Sequence, residues 1–193
     1  MQYDRLYDLG EDFALPDAFR GDPTEGVIED VFALLGGSEK HSEPIRFEYH
    51  YSGGTAVCDV VWTTFGASVL VSDRVVTNLR EGHFSGWTTY PVELYDKSRI
   101  RIPDYHGLVV TGRSGAIDRS RSEKVRHPII PGTKPADFWR GLFFKDDRWD
   151  GSDIFLPEGT GYIIVVERVK NALESLSIPN IKFERLDTHE THI

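Results

Sequence analysis

The strongest constraint on the fold is an echo. Residues 69–94 read VLVSDRVVTNLREGHFSGWTTYPVEL, and 163–186 read IIVVERVKNALESLSIPNIKFERL. At a constant offset of 94, positions 59–90 align with 153–184 without a gap. Asp59/Asp153, Val71/Val165, Arg74/Arg168, Val75/Val169 and Leu79/Leu173 are identical. Asp73/Glu167, Val69/Ile163, Leu70/Ile164 and Phe84/Ile178 are conservative exchanges. The matches fall where a strand and a docking helix need anchors. They are mainly apolar, so they favour repeated packing over a repeated active site.

Each copy reads as strand, helix, strand. Val69–Val71 is a short apolar strand. Ser72 then caps a run from Asp73 to Glu81 that Gly82 ends, with Val75 and Leu79 four apart on one face. In the second copy, Ile163–Val166, Glu167–Leu176 and Ile181–Leu186 follow the same plan. A further helix is expected over 22–37, with Asp22 as N-cap, Pro23 in the first position and Glu25 completing a capping box. Its apolar face is Val27, Ile28, Val31, Leu34 and Leu35, and Gly36 and Gly37 stop it.

The alternation in IRFEYHY (45–51), the turn SGGT (52–55) and AVCDVVW (56–62) predict a β-hairpin. GLVVTG (107–112) reads as a strand, GRSGAIDRSRSEKVRHP (112–128) as an exposed loop and DTHETHI as a frayed tail. Together these predict an α+β fold, mainly antiparallel, with about three helices and an internal strand–helix–strand pseudo-repeat. A single domain over 1–193 is expected, divisible into an acidic region 1–55 and a core 56–186.

The 193 residues carry a net charge of −9, and its distribution is uneven. Residues 1–50 hold twelve acidic and four basic side chains, leaving the rest of the chain at only −1. Such a field repels nucleic acid and steers a basic protein partner, although solvating a surface is an equal use for it. Asp22, Glu25, Glu29 and Asp30 are the candidate docking residues. No apolar run approaches the roughly 20 residues of a membrane span, and the acidic start lacks the pattern of a signal peptide. A cytoplasmic location is expected, and the lone Cys58 excludes an internal disulfide or a cysteine-based zinc site.

Motifs for chemistry are weak. Gly53-Gly54-Thr55 lacks the lysine of a phosphate-binding loop, and Ser152 lacks the second glycine of a nucleophile elbow. His189 and His192 are three apart instead of four, with no third ligand evident, so neither a metal nor another cofactor is expected. Cys58 could be activated by His50 only if the hairpin brought them together. Arg113, Arg119, Arg121, Lys124 and Arg126 could grip phosphate, but without interleaved aromatics no nucleic-acid surface is expected. The alternative function is a small enzyme or ligand-binding domain with a cleft near Tyr105, His106, Trp149 and Asp153.

Several stretches resemble the myxobacterial-type immunity-protein domain of bacterial polymorphic toxin systems. They are Val71-Ser72-Asp73-Arg74-Val75, Gly86-Trp87 with Tyr90-Pro91-Val92, and Pro103-x-Tyr105-His106. Asp153-Ile154-Phe155, Glu167-Arg168-Val169 and Asn180-Ile181-x-Phe183 complete the set. The resemblance covers about residues 59–186 and leaves the N-terminal third outside it. It implies a non-catalytic protein that binds and neutralises a cognate toxin, expected to be basic.

Overall fold

The computed structural model describes residues 2–36 and 43–192. In chain order its elements begin with β1 (Leu6–Glu11), β2 (Gly21–Pro23), α1 (Ile28–Leu35), β3 (Ile45–Tyr49), β4 (Val60–Trp62) and β5 (Val69–Ser72). There follow α2 (Asp73–Glu81), β6 (Trp87–Tyr95), β7 (Arg101–Ile102), β8 (Tyr105–Val110), β9 (Gly112–Ser114) and β10 (Glu123–Pro128). The last are β11 (Pro135–Arg140), β12 (Ile154–Pro157), β13 (Ile163–Val166), α3 (Glu167–Glu174), β14 (Ile181–Arg185) and β15 (Glu190–His192).

The α+β expectation is overturned. The fold is mostly β, with fifteen strands in three sheets and three short helices among the described residues. The sheets run β14-β1-β13-β12-β9, β10-β11-β15, and β2-β3-β6-β8-β5-β4 with β7 against β6. The missed strands lack the alternation that reveals a half-buried strand. β10 (EKVRHP) lies in the expected loop and β15 in the expected tail, and neither contains a fully buried side chain. Ladder hydrogen bonds and cross-strand pairs hold them instead.

Two local readings are also corrected. Residues 45–62 do not form a hairpin: β3 pairs with β2 and β6, while β4 pairs with β5 at the far end of the same sheet. The SGGT segment packs along residues 17–20, with Gly54 N donating to Ala18 O at 2.8 Å and Ala18 bridging Ala56. A Cβ at Gly54 would lie 2.1 Å from the Asp17 carbonyl oxygen, so the close approach requires glycine. The first helix begins at Ile28 because Gly21–Pro23 is drawn into the sheet against Tyr49–Phe47. Its Val31 and Leu34 are buried over Ile45, Phe47, Leu70 and Val109.

The offset of 94 reappears in the strand registers. Val60 lies opposite Val71, and Ile154 opposite Val165; Val61 faces Leu70, and Phe155 faces Ile164. The third strand of each unit also matches. Leu108 of β8 sits between Val69 and Thr89, while Leu9 of β1 sits between Ile163 and Phe183. One unit takes this strand from the chain that follows it, the other from the N-terminus. That difference hides it from a linear comparison.

The polar identities belong to the same corners. Arg74 Nη1 contacts Asp59 Oδ2 at 2.7 Å, and Arg168 Nε donates to Asp153 Oδ1 at 2.8 Å. Each aspartate also accepts a backbone bond at its carbonyl, from Ser72 N at 2.8 Å and Val166 N at 3.0 Å. Arg74 Nη2 reaches across to Leu176 O at 2.6 Å, near the C-terminus of α3, where a cation is electrostatically favoured. These aspartates and arginines tie strand to helix.

The core follows strand alternation. Val69, Val71, Ile163 and Val165 enter one central cluster with Val75, Leu79, Val169 and Leu173 from α2 and α3. The intervening Leu70 faces the cluster under α1, and Ile164 faces a third one built on Tyr3, Leu142, Phe144, Phe155 and Leu186. Both sheets are therefore buried on both faces at their middle strands. Their side chains are committed to packing.

Candidate functional site

The acidic corner is built on β2 and the start of α1. Asp22, drawn into β2, turns inward. Its carboxylate accepts from Thr64 N at 2.8 Å and Thr64 Oγ1 at 2.6 Å, with His50 Nε2 at 3.7 Å. It thereby fixes the 63–66 loop, whose Phe65 meets the exposed Phe32 of α1 edge-on at 5.8 Å. Glu25, Glu29 and Asp30 are exposed. Glu25 and Glu29 have no ion pair or hydrogen bond among the described residues, whereas Arg5, Arg20 and Arg46 in the same acidic region pair with Glu167, Glu11 and Glu48. Glu29 and Asp30 stand in the first turn of α1, where the helix dipole favours negative charge.

The four residues of the alternative cleft are not brought together. Tyr105 and His106 lie on β8. Tyr105 Oη donates to Cys58 O at 2.7 Å, and burial pushes its hydroxyl up to about 12. His106 Nε2 sits 2.5 Å from Asp73 Oδ1. Trp149 and Asp153 line a separate open hollow of about 380 Å³, with Arg5, Leu6, Glu167 and Arg168 among its walls. Burial alone would raise the Asp153 carboxyl, but hydrogen bonds from Arg168 and Ser85 outweigh it and hold it below the usual carboxylate range. An ionised carboxylate so engaged anchors structure and has no proton to give.

The remaining candidates separate in the same way. Cys58 is buried, its Sγ–H directed to Ala56 O at 3.6 Å, and burial pushes the thiol up, away from nucleophilic thiolate. His50 instead contacts Ser52 Oγ at 2.7 Å. His189 is buried with Nδ1 2.8 Å from Glu184 Oε2, while His192 packs edge-on to Phe138 at 5.2 Å. No group of three or more His, Cys, Asp or Glu among the described residues could hold a metal. Arg119 reaches Thr191 and Arg121 pairs with Asp146, so the basic loop is partly spent internally.

The sequence reading missed a buried titratable cluster. Asp8 of β1 lies directly opposite Glu184 of β14, with His189 Nδ1 3.9 Å from Asp8 Oδ2. Burial, and then the Glu184 charge, push the Asp8 carboxyl up to about 7. Burial lowers the His189 imidazole despite the opposing pull of Glu184. Nothing local in YDLG signals this, because the partner strand is about 175 residues away.

What the fold and its surface define is a packed β scaffold whose polar clusters are tied into its own corners. The model of the Immunity protein family (Imm11) matches residues 10–189, and the chain belongs to that family. The match takes in most of the N-terminal third, which the sequence resemblance had left outside. No curated protein matches the chain. Among the described residues, no helix is long and apolar enough to cross a membrane.

Proposed function

We propose that the protein neutralises a cognate bacterial toxin by binding it, without chemistry of its own, in the cytoplasm. The toxin carries a basic surface that meets Glu25, Glu29 and Asp30, while Asp22 holds the neighbouring loop in place. One observation supports this most: Glu25 and Glu29 stand exposed and without an ionic partner among the described residues, within the most acidic part of the chain. Their field reaches roughly 10 Å at 0.1 M salt, enough to bias encounter before contact.

The test is stopped-flow association with an inactive form of the cognate toxin. Reversing Glu25 and Glu29 to lysine should lower the association rate about tenfold at low salt, with the difference closing as salt rises. An association rate unchanged by both substitutions would remove this corner from the interface.

A further inference from the structure

The three-stranded sheet has no part in the corner just described. β10 and β11 form an arm, paired from Glu123–Arg140 to Pro128–Pro135 and joined by residues 129–134. β15 covers only the Phe138–Arg140 end of β11, and no described strand pairs with the outer edge of β10. At the tip, Ile129 and Ile130 are 63% and 62% exposed. The tip is a formed turn: Thr133 N and Thr133 Oγ1 both donate to Ile130 O, at 3.0 and 2.7 Å. Two large apolar side chains are thus held in water by a built structure.

The charge of the arm opposes that of the whole chain. Residues 123–140 contain four basic and two acidic side chains. Both acids are internally paired, Glu123 with Arg140 and Asp137 with Arg126. Lys124 extends over the Trp139 ring at 4.8 Å, and both Lys124 and Lys134 remain exposed.

A free strand edge invites a new strand, and basic residues on it choose which. A second copy of β10, laid antiparallel about Val125, would set Lys124 against Arg126 twice. Centring the pair on Lys124 or Arg126 would oppose identical charges. The Val125 register also brings Glu123 opposite His127 twice, so self-pairing is penalised most where it centres on Lys124 or Arg126. An acidic strand meets no such penalty.

We infer that this arm is a second toxin-docking element. The outer edge of β10 takes an acidic extended segment of the partner, and Ile129 and Ile130 enter an apolar socket beside it. This rests on the toxin-binding reading above and adds the chemistry of a second contact, on a different sheet from the α1 corner.

The probe is the same inactive toxin, titrated by calorimetry against three variants. These are Ile129→Ser with Ile130→Ser, Lys124→Glu with Arg126→Glu, and replacement of residues 129–134 by Asn-Gly. All the substituted side chains are exposed, and circular dichroism checks that the fold is kept. Each variant should raise Kd roughly tenfold or more. Wild-type affinity in all three overturns the inference while leaving toxin binding intact. A wild-type dimer that the same variants dissociate, seen by sedimentation, assigns the arm to self-association and overturns it too. Failure of the wild-type chain to bind the toxin removes both this inference and the reading it rests on.

Discussion

Replacing Asp8 by asparagine should change how stability depends on pH. The Asp8 side chain is only 14% exposed and faces Glu184 across the β1–β14 ladder. Its carboxyl is raised from 3.8 to about 7 by burial and by that neighbouring charge. The folded state therefore holds a proton that the unfolded chain releases. The stability this contributes is fully present below about pH 4 and is lost as pH rises through about 7. At about 1.4 kcal/mol per tenfold change in proton affinity, the ceiling is about 4 kcal/mol. Water entry and relaxation around a partly exposed side chain reduce that to about 1–3 kcal/mol. The assay is urea unfolding of both proteins at intervals from pH 4 to pH 8. Asp8→Asn should gain on the wild type as pH climbs, by that amount across the range. A difference between the two that stays flat, or that narrows with pH, would refute the argument.

Other outcomes follow from the two corners and the close approaches. Asp153→Ala should cost about 1–3 kcal/mol in chemical denaturation, since it removes the carboxylate that accepts from Ser85 N, Ser85 Oγ and Arg168 Nε. Asp59→Ala, whose side chain is 21% exposed, should cost less, about 1–2 kcal/mol, and equal losses would refute the ranking by burial. Gly54→Ala should lower stability by about 2–4 kcal/mol, because the Asp17 carbonyl it would strike is backbone. Thermal unfolding measures this, and a neutral result would mean the two segments can separate freely.

How much was legible depends on how far each signal lay from its partner. The helix after β5 can be read because Ser72, two valines, Leu79 and Gly82 carry its cap, face and stop within eleven residues; Ser72 Oγ does accept from Val75 N. The Asp22 capping box reads equally well but loses to tertiary structure. Gly21–Pro23 gains a ladder with β3, and the carboxylate finds Thr64 instead. The hairpin fails similarly, since Gly53 and Gly54 are small in order to lie against residues 17–20, not to turn the chain. Arms such as β10–β11 are held by backbone pairing with polar residues on both faces, so periodicity does not reveal them. For the candidate site, charge density along the chain pointed to Asp22, Glu25, Glu29 and Asp30 alike. Side-chain identity alone could not say that Asp22 faces inward.

The central claim is neutralisation by occupancy. Titrating a fixed amount of active toxin with the protein, and following toxin activity, tests it most directly. The account predicts that activity falls linearly to an end point at one equivalent, and that toxin recovered after dissociation is active with unchanged mass. Complete inactivation by a small fraction of an equivalent, or a lasting change in the toxin's mass, would contradict it.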